Sequence, residues 1–288
     1  MRQEGEEKLG TSQRGAPGKS GQTRRDDGTV GKALAVLDQV AGFGRPVRFA
    51  EILEVSVFPK ATLYRLIQTL TSQGMLAYDD LTQAYTPGMR LVRLAHSAWA
   101  QSSLAPVARP HIDALSAQLG ETVHLAQFDH AQVLYVDKRN ATQPVQMFSQ
   151  AGKVGPAYCT GVGKAMLAWL PEAELEPILA QQSFHAFTEH TLASAEALRA
   201  DLQAIRAVGY AFDREEHEPG IICVAMPILS EAGQVLGGLS VTGSTARTNL
   251  AKLETHAPLL HAAADAIAAD AESWRSPDTQ ILSQQTRG

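Results

Sequence analysis

Apolar residues in the first part of the chain recur at the three- and four-residue spacing of amphipathic helices. This spacing predicts a helix over 30–40, which Gly42 and Pro46 bring to an end. A second short helix is predicted over 49–55, and a third over 59–73. The apolar face of the third helix consists of Leu63, Leu66, Ile67 and Leu70.

Two strand-like runs, 75–78 and 84–86, follow the third helix and flank the polar turn 79–83. Such a pair predicts a hairpin, and three helices followed by a hairpin are the order of a winged helix-turn-helix. We therefore expect a DNA-binding domain of this fold over residues 29–87. Helical spacing then returns and predicts a linker helix over 88–101.

The remainder of the chain, residues 102–274, mixes helical and strand-like patterns and is expected to form a second domain. Helical patterns cover 103–119, 158–170, 171–181, 194–208 and 249–274. Strand-like patterns cover 122–128, 132–137, 210–214, 221–229 and 235–242. This mixed order predicts the α+β class with an antiparallel sheet. The segment 150–157 is predicted to be a loop.

Composition separates two polar tails from this core. Residues 1–28 and 275–288 contain few large apolar side chains, so we expect both to be disordered. Arg24 and Arg25 can at most touch DNA phosphates from the first tail. The formal net charge is −5, but the predicted DNA-binding region is slightly basic and the second domain strongly acidic. This distribution is compatible with nucleic-acid binding.

The number of cysteines and the hydropathy of the chain indicate in which cellular compartment the protein works. The two cysteines, Cys159 and Cys223, are too few for a disulfide framework or a zinc ribbon. The first 28 residues contain no apolar signal segment, and no apolar run is long enough to span a bilayer. We therefore expect a cytoplasmic protein with no membrane partner.

The start of the predicted third helix is the candidate DNA-reading element. In a helix-turn-helix the second helix of the pair lies in the major groove, where its first residues reach base edges. Those residues are Lys60, Ala61, Thr62, Tyr64 and Arg65. Arg65 can bind guanine or phosphate, and Arg45 and Arg48 are further phosphate candidates. The alternative is that all of these are ordinary solvent-facing residues.

Seven segments resemble the IclR family of bacterial transcriptional regulators. They are Phe49–Leu53, Pro59–Ile67, Glu121–Ala126, Cys159–Ala165, Gly209–His217, Pro219–Ala225 and Leu239–Gly243, in the family's order. The resemblance implies a winged helix-turn-helix joined to a GAF-like effector-binding domain. It implies a homodimer or homotetramer on a palindromic double-stranded DNA operator that controls a catabolic operon. It implies no cofactor. The chain has Ala61 where the family often has serine.

The resemblance also implies an effector pocket in the second domain. Its assigned contacts are Met147, Cys159, Gly161, Val162, Asp213, Cys223, Ser240 and Thr242. The run 159–164 opens a helix, whose first amides carry partial positive charge and can bind a carboxylate without an arginine. Glycine there would let a ligand approach the backbone closely. A small organic acid or aromatic carboxylate is the expected effector, and Lys164 either assists or meets an acidic residue.

Other functions remain open from the residues alone. Asp213, Glu215, Glu216 and His217, with the two cysteines, could bind Zn²⁺, although their spacing matches no zinc motif and no metal is expected. A cysteine-dependent enzyme acting on a small carboxylate would use Cys159 as nucleophile and His217 as base. A domain that serves only for dimerisation is a third possibility.

Overall fold

The computed structural model describes residues 28–102 and 104–275. Most of both predicted tails, including Arg24 and Arg25, therefore lies outside the described residues. The tail boundaries differ by one residue each, because Gly28 begins the first helix and Arg275 ends the last. The chain divides into two compact units between Ala95 and His96.

The first unit contains the helices and the hairpin expected from the sequence. Its helices are α1 (Gly28–Gly42), α2 (Phe49–Val55) and α3 (Lys60–Ser72). Its strands are β1 (Val47–Arg48), β2 (Leu76–Asp79) and β3 (Ala84–Pro87), in the sheet order β1-β3-β2. The two-residue strand β1 was not predicted, because so short a run shows no alternation.

The core of this unit lies where α3 packs against α1. The buried α3 positions are the predicted set, Leu63, Leu66, Ile67 and Leu70. They contact Val36, Leu37 and Val40 of α1 and Ile52 of α2. Burying side chains of this size contributes about 1.5–3 kcal/mol each, so this contact holds α3 in place and turns its polar face outward.

Helix α4 (Met89–Ser102) follows the hairpin and crosses the boundary between the units. The predicted linker helix over 88–101 thus coincides with a helix. Gly88, just before α4, is packed tightly within the first unit, because a Cβ there would sit 2.2 Å from the backbone oxygen of Gly74.

The second unit is built on a six-stranded antiparallel sheet of order β6-β5-β4-β9-β8-β7. The strands are β4 (Thr122–Asp129), β5 (Gln132–Arg139), β6 (Val154–Pro156), β7 (Ala211–Arg214), β8 (Ile221–Leu229) and β9 (Val235–Ser244). The helices are α5 (Ala105–Leu119), α6 (Gly161–Leu167), α7 (Glu172–Leu179), α8 (Ala195–Val208), α9 (Leu250–Glu254) and α10 (Ala257–Arg275).

Helices cover both faces of this sheet and bury two separate cores. Helices α5, α9 and α10 pack on one face, around residues such as Val123, Val224 and Val241. Helices α6, α7 and α8 pack on the other, around Tyr158, Met166 and Leu202 among others. Alternate residues of each central strand therefore belong to opposite cores.

Three details of the second unit differ from the predictions. Part of the segment expected to be a loop, 150–157, forms the edge strand β6, which pairs with β5. Helix α6 is shorter than the pattern over 158–170. The predicted helix 249–274 is two helices, because Pro258 in the first turn of α10 has no backbone N–H with which to continue the hydrogen bonds of α9.

Candidate nucleic-acid interface and ligand pocket

The start of α3 presents a polar face to solvent. Lys60, Ala61, Tyr64 and Arg65 are exposed, and Thr62 is half-buried. The Tyr64 ring stands edge-on to Phe49, with centroids 5.9 Å apart. Among the described residues, the Lys60 ammonium and the Arg65 guanidinium have no hydrogen-bond or ion-pair partner. Both cations are therefore available to a phosphate or a base.

Arg45 and Arg48 already have partners within the first unit. The Arg45 guanidinium is 2.6 Å from the Glu51 carboxylate. Arg48 donates from its Nε to the Thr82 carbonyl in the hairpin turn, at 3.3 Å, and Glu51 accepts the Arg48 backbone N–H at 2.9 Å. The two arginines thus connect α2 and the turn.

The hairpin turn is held by its own side chains. Asp79 accepts hydrogen bonds from the Leu81 backbone amide (2.9 Å) and the Thr82 hydroxyl (2.8 Å). These bonds lower the pKa of the Asp79 carboxyl, so it stays ionised. A negative charge at this turn disfavours close approach to phosphate, whereas the exposed start of α3 carries two unpaired cations.

A pocket that is open to solvent lies between α6 and the sheet of the second unit, with a cavity volume of about 30 Å³. A volume of this size holds about two water molecules. Its wall consists of His124, Tyr135, Phe148, Ser149, Thr160, Gly161, Val162, Asp213, His217, Glu218, Ile221, Cys223, Ser240 and Thr242.

Strand pairing explains why residues distant in sequence meet at this wall. Cys223 of β8 pairs with Asp213 on one side and Thr242 on the other. Ser240, two residues from Thr242, pairs with His124 of β4. Residues directly opposite in an antiparallel sheet point to the same face, so their side chains form one polar strip along the pocket floor.

Asp213 is the acidic group of the pocket whose protonation is most perturbed. Its side chain is 8% exposed, and its Oδ1 accepts the Glu216 backbone N–H at 2.9 Å. Burial, followed by the nearby Glu216 carboxylate, raises the pKa of Asp213 to about 7. At neutral pH the carboxyl group therefore exists in both forms and can donate a proton to a hydrogen bond.

A second buried polar group, His124, lies along the same floor. Its Nε2 is 2.8 Å from the Ser149 hydroxyl, and its Nδ1 is 3.2 Å from the Thr242 hydroxyl. Burial, together with the Lys138 charge, lowers the pKa of His124 to about 3. The imidazole is therefore neutral at physiological pH.

Lys164 lies outside the pocket wall. Its ammonium is fully buried, 2.8 Å from Asp201 Oδ2 and 2.5 Å from Glu216 Oε1. Burial opposes the charge, but the two carboxylates outweigh it and raise the pKa of Lys164. Of the two roles open from the sequence, Lys164 takes the pairing with acidic residues.

Gly161 is required by packing as well as by the pocket. A Cβ at this position would lie 2.3 Å from Cys223 Sγ and 3.3 Å from the Cβ of Ala225. The glycine thus lets α6 sit directly on the sheet, whereas the sequence suggested that it lets a ligand approach. The Thr160 hydroxyl donates to the Pro156 carbonyl (2.8 Å) and leaves the first α6 amides uncapped.

Six of the eight expected effector contacts line the pocket together: Gly161, Val162, Asp213, Cys223, Ser240 and Thr242. Cys159 and Met147 are buried but are not part of the wall. The sequence did not assign His124, Tyr135, Ser149 or Glu218 to the pocket. His124 offered one signal, a histidine at an inward position between Val123 and Leu125 of an apolar strand.

The environment of Cys159 is unsuited to nucleophilic chemistry. The side chain is fully buried, and burial raises the pKa of the thiol, so the reactive thiolate is disfavoured. His217 lies on the pocket wall and Cys159 does not.

Within the described ranges, no three His, Cys, Asp or Glu side chains are grouped to hold a metal ion. In the same ranges, no helix is long and apolar enough to cross a membrane.

A winged helix-turn-helix followed by a separate unit with a pocket open to solvent is the arrangement of the helix-turn-helix transcriptional regulators. The helix-turn-helix domain model of the IclR family matches residues 29–80, and the model of the C-terminal domain of IclR transcriptional regulators matches residues 96–269. The chain belongs to the IclR family of bacterial transcriptional regulators.

Individual relatives agree with this assignment. The HTH-type transcriptional regulator KdgR of Escherichia coli is 32% identical over 241 residues, covering 84% of this chain and 91% of KdgR. The crystal structure of Thermotoga maritima IclR matches with a TM-score of 0.69 at 29% identity, covering 84% of this chain and 97% of that one.

A second solved structure shares the fold. It is an IclR homolog from Microbacterium hydrocarbonoxydans complexed with 4-hydroxybenzoate, with a TM-score of 0.74, 23% identity, and coverage of 85% of this chain and 100% of that one. The family assignment makes the chain a DNA-binding transcriptional regulator rather than an enzyme, and this excludes the cysteine-enzyme alternative.

Proposed function

We propose that the chain regulates a catabolic operon in response to a small organic or aromatic carboxylic acid bound in the second unit. The observation that carries this proposal is the composition of the pocket wall. Uncapped α6 amides, the Asp213 carboxyl with its raised pKa and the hydroxyls of Ser240 and Thr242 meet at one pocket that is open to solvent.

The donor set favours an acid as the ligand. The protonated Asp213 carboxyl can donate to a ligand carboxylate, and the first amides of α6 have no acceptor within the helix. Val162, Ile221 and Tyr135 supply the apolar part of the wall. Polar groups placed at defined points beside an apolar surface are typical of small-molecule sites.

We further propose that Lys60, Thr62, Tyr64 and Arg65 enter the major groove, with Ala61 in contact with the backbone or a base. Support comes from the exposed start of α3 and from its two unpaired cations. Arg45 and Arg48 act beside them, at the junction of α2 and the turn, as additional phosphate contacts. Since the proposed operator lies on chromosomal DNA, the proposed location of the protein is the cytoplasm.

A homodimer, alone or paired into a homotetramer, is the proposed DNA-binding form. In the first unit, α1 leaves Val30 and Leu34 exposed, and α4 leaves Met89, Val92 and Leu94 exposed. Burial of these apolar side chains by a second copy of the chain would stabilise a dimer. Two copies would also read the two halves of a palindromic operator.

Ligand binding must favour one DNA-binding state over another if it is to regulate. We propose that α4 transmits this preference, because the helix is the continuous backbone segment shared by both units. The ligand then shifts the equilibrium only by the difference between its affinities for the two states.

Two measurements test the proposal. Fluorescence anisotropy should show that the protein prefers its own upstream intergenic DNA to random DNA of equal length at physiological salt. A thermal-shift panel of small and aromatic carboxylic acids, with 4-hydroxybenzoate included, should contain compounds that raise the melting temperature and change DNA affinity. Equal affinity for both DNAs would refute specific DNA binding. If no acid in the panel raised the melting temperature or changed DNA affinity, the proposed acid-dependent regulation would be refuted.

A further inference from the structure

His124 occupies a position in the pocket that the acid-binding role leaves unused. The side chain is 2% exposed and belongs to β4 at the centre of the sheet. Its ring stands edge-on to Tyr135, with centroids 5.5 Å apart, so packing fixes its plane. The ring thus presents a fixed edge to the pocket floor.

Three hydroxyl groups surround this imidazole unevenly. The Ser149 hydroxyl lies 2.8 Å from Nε2, a distance typical of a strong hydrogen bond. On the pocket side, Nδ1 is shared between Thr242 at 3.2 Å and Ser240 at 3.4 Å, and the two hydroxyls are themselves 3.5 Å apart. The hydrogen bonds on the Nδ1 side are therefore longer than the bond to Nε2, and a ligand oxygen that entered the pocket would displace one of these hydroxyls.

A neutral imidazole has one donor nitrogen and one acceptor nitrogen, whereas each neighbouring hydroxyl can donate or accept. The Ser149 bond can run in either direction, so Nδ1 can either donate or accept on the pocket side. This corner suits an uncharged ligand oxygen, such as a hydroxyl or keto group. A carboxylate would find no formal positive charge on this ring, because the pKa of His124 is far below neutrality.

The acid-binding corner lies at the other end of the same floor. Asp213 is on β7, which β8 and β9 separate from β4. Three strand spacings correspond to roughly 14 Å between backbones. His124 reaches across one of them, since its Nδ1 lies 3.2 Å from the Thr242 hydroxyl of β9. The apolar side chains of Ile221 and Val162 contribute to the wall of the same pocket.

We propose that His124 is a specificity-determining residue that selects carboxylic acids carrying a second oxygen function, a hydroxyl or keto group, remote from the carboxylate. This inference rests on the proposed acid-binding function and deepens it. The carboxylate occupies the Asp213 end, and the second oxygen meets His124 Nδ1 together with Ser240 and Thr242.

The test compares matched ligand pairs by calorimetry on the full-length protein: 4-hydroxybenzoate with benzoate, and 4-hydroxybutyrate with butyrate. The wild type should bind the hydroxylated member of a pair about tenfold more tightly, the upper range for one neutral hydrogen bond. The ratio of the two affinities is the readout, because a general loss of pocket shape lowers both.

Three variants separate the two faces of the ring. In His124→Asn, the amide atoms lie two bonds from Cβ, as Nδ1 does, so this variant should retain much of the ratio. In His124→Gln they lie three bonds away, as Nε2 does, so the ratio should fall towards one. His124→Phe keeps the ring against Tyr135 without polar atoms and should also remove the preference.

A measurement on the wild type guards against variants that fail to fold. The imidazole ¹⁵N shifts of His124 should report a neutral ring at pH 6, and 4-hydroxybenzoate should move Nδ1 more than benzoate does. Equal affinities within both pairs, or a ratio unchanged in His124→Phe, overturn the inference while acid binding stands. Binding confined to acids without a second oxygen also overturns it. If no acid in the whole panel binds, the proposed function itself has failed.

Discussion

The ammonium of Lys164 lies 2.5 Å from Oε1 of Glu216, and both side chains are almost completely buried. Asp201 accepts a second hydrogen bond from the same ammonium, and the Arg214 guanidinium is 3.6 Å from Asp201. Glu216 also donates its backbone N–H to Asp213. The ion pair thus stands directly behind the acidic residue of the pocket.

Replacing Lys164 by methionine should destabilise the second unit by about 3–5 kcal/mol, because Glu216 would be left buried without its counter-ion. Urea unfolding followed by tryptophan fluorescence measures this, since all tryptophans of the chain lie beyond residue 95. The double variant Lys164→Met with Glu216→Gln should lose less than the single one. A single-variant loss below about 1 kcal/mol would show that the pair is not needed for stability.

The raised pKa of Asp213 predicts a stability that falls with rising pH. An aspartate in the unfolded chain ionises near its ordinary value of 3.8, but folded Asp213 keeps its proton up to about 7. Between these values the folded state binds more protons, so this residue's contribution is present below about pH 4 and is lost towards pH 7. Asp213→Asn should therefore gain stability relative to wild type on going from pH 5 to pH 8, by on the order of a few kcal/mol.

The measurement is the difference in unfolding free energy between Asp213→Asn and wild type at pH 5 and at pH 8. Taking this difference removes the titration of all other groups that the variant leaves unchanged. Asp129→Asn, at a half-exposed side chain, serves as the matched control and should show a much smaller change. An identical difference at both pH values would place the Asp213 pKa near its ordinary value.

Gly161→Ala should destabilise the second unit, because the new methyl group would meet Cys223 Sγ at 2.3 Å. Cys223→Ala alone should cost less, and it removes the atom that blocks the methyl group. The double variant should therefore be more stable than the sum of the single effects implies, with a coupling of about 0.5–3 kcal/mol. Strict additivity in urea unfolding would contradict the close contact between α6 and β8.

Arg65→Ala should weaken binding to the upstream DNA by about tenfold or more while thermal stability stays near that of wild type, since the side chain is exposed. Arg93→Ala, an exposed arginine of α4, is the charge-matched control and should change affinity less. Anisotropy titrations at several salt concentrations make the comparison. A collapse of thermal stability would mean instead that Arg65 is structural.

Glu218 should control how fast a bound acid leaves. Its carboxylate accepts the Phe148 backbone N–H at 2.9 Å, and the Phe148 ring lies 4.8 Å from His217, so the segment before β6 is tied to the segment before β8 at the pocket wall. Glu218→Ala removes this tie and should speed dissociation by about three- to tenfold. Glu218→Gln removes the charge but keeps an acceptor, and should dissociate more slowly than Glu218→Ala in stopped-flow measurements. Equal rates in the two variants would show that the hydrogen bond does not hold the ligand.

The helices and long strands could be predicted because each has a periodic apolar face, as Leu63, Leu66, Ile67 and Leu70 show for α3. Short elements without such a period could not, and β1 and β6 were missed for this reason. The break after Glu254 is not visible in the apolar spacing, but Pro258 marks it, because proline lacks the backbone N–H that a continuous helix needs.

The pocket was predictable where residue type and family resemblance coincided, as at Asp213 and Thr242. Contacts created by chain folding were not predictable. Lys164 and Glu216 are 52 positions apart, and only the packing of α6 brings them together. His124 carries no sign of its hydroxyl partners in the local sequence, since Ser149 and Thr242 approach from other elements.

The alternation of the central strands has a consequence for evolution. His124, Cys223, Ser240 and Thr242 face the pocket, whereas their sequence neighbours Val123, Val224 and Val241 fill the opposite core. Substitutions at the first set can exchange one recognised compound for another without disturbing the hydrophobic layer on the far side of the sheet. The same fold can in this way evolve to bind different ligands while the residues that stabilise it remain unchanged.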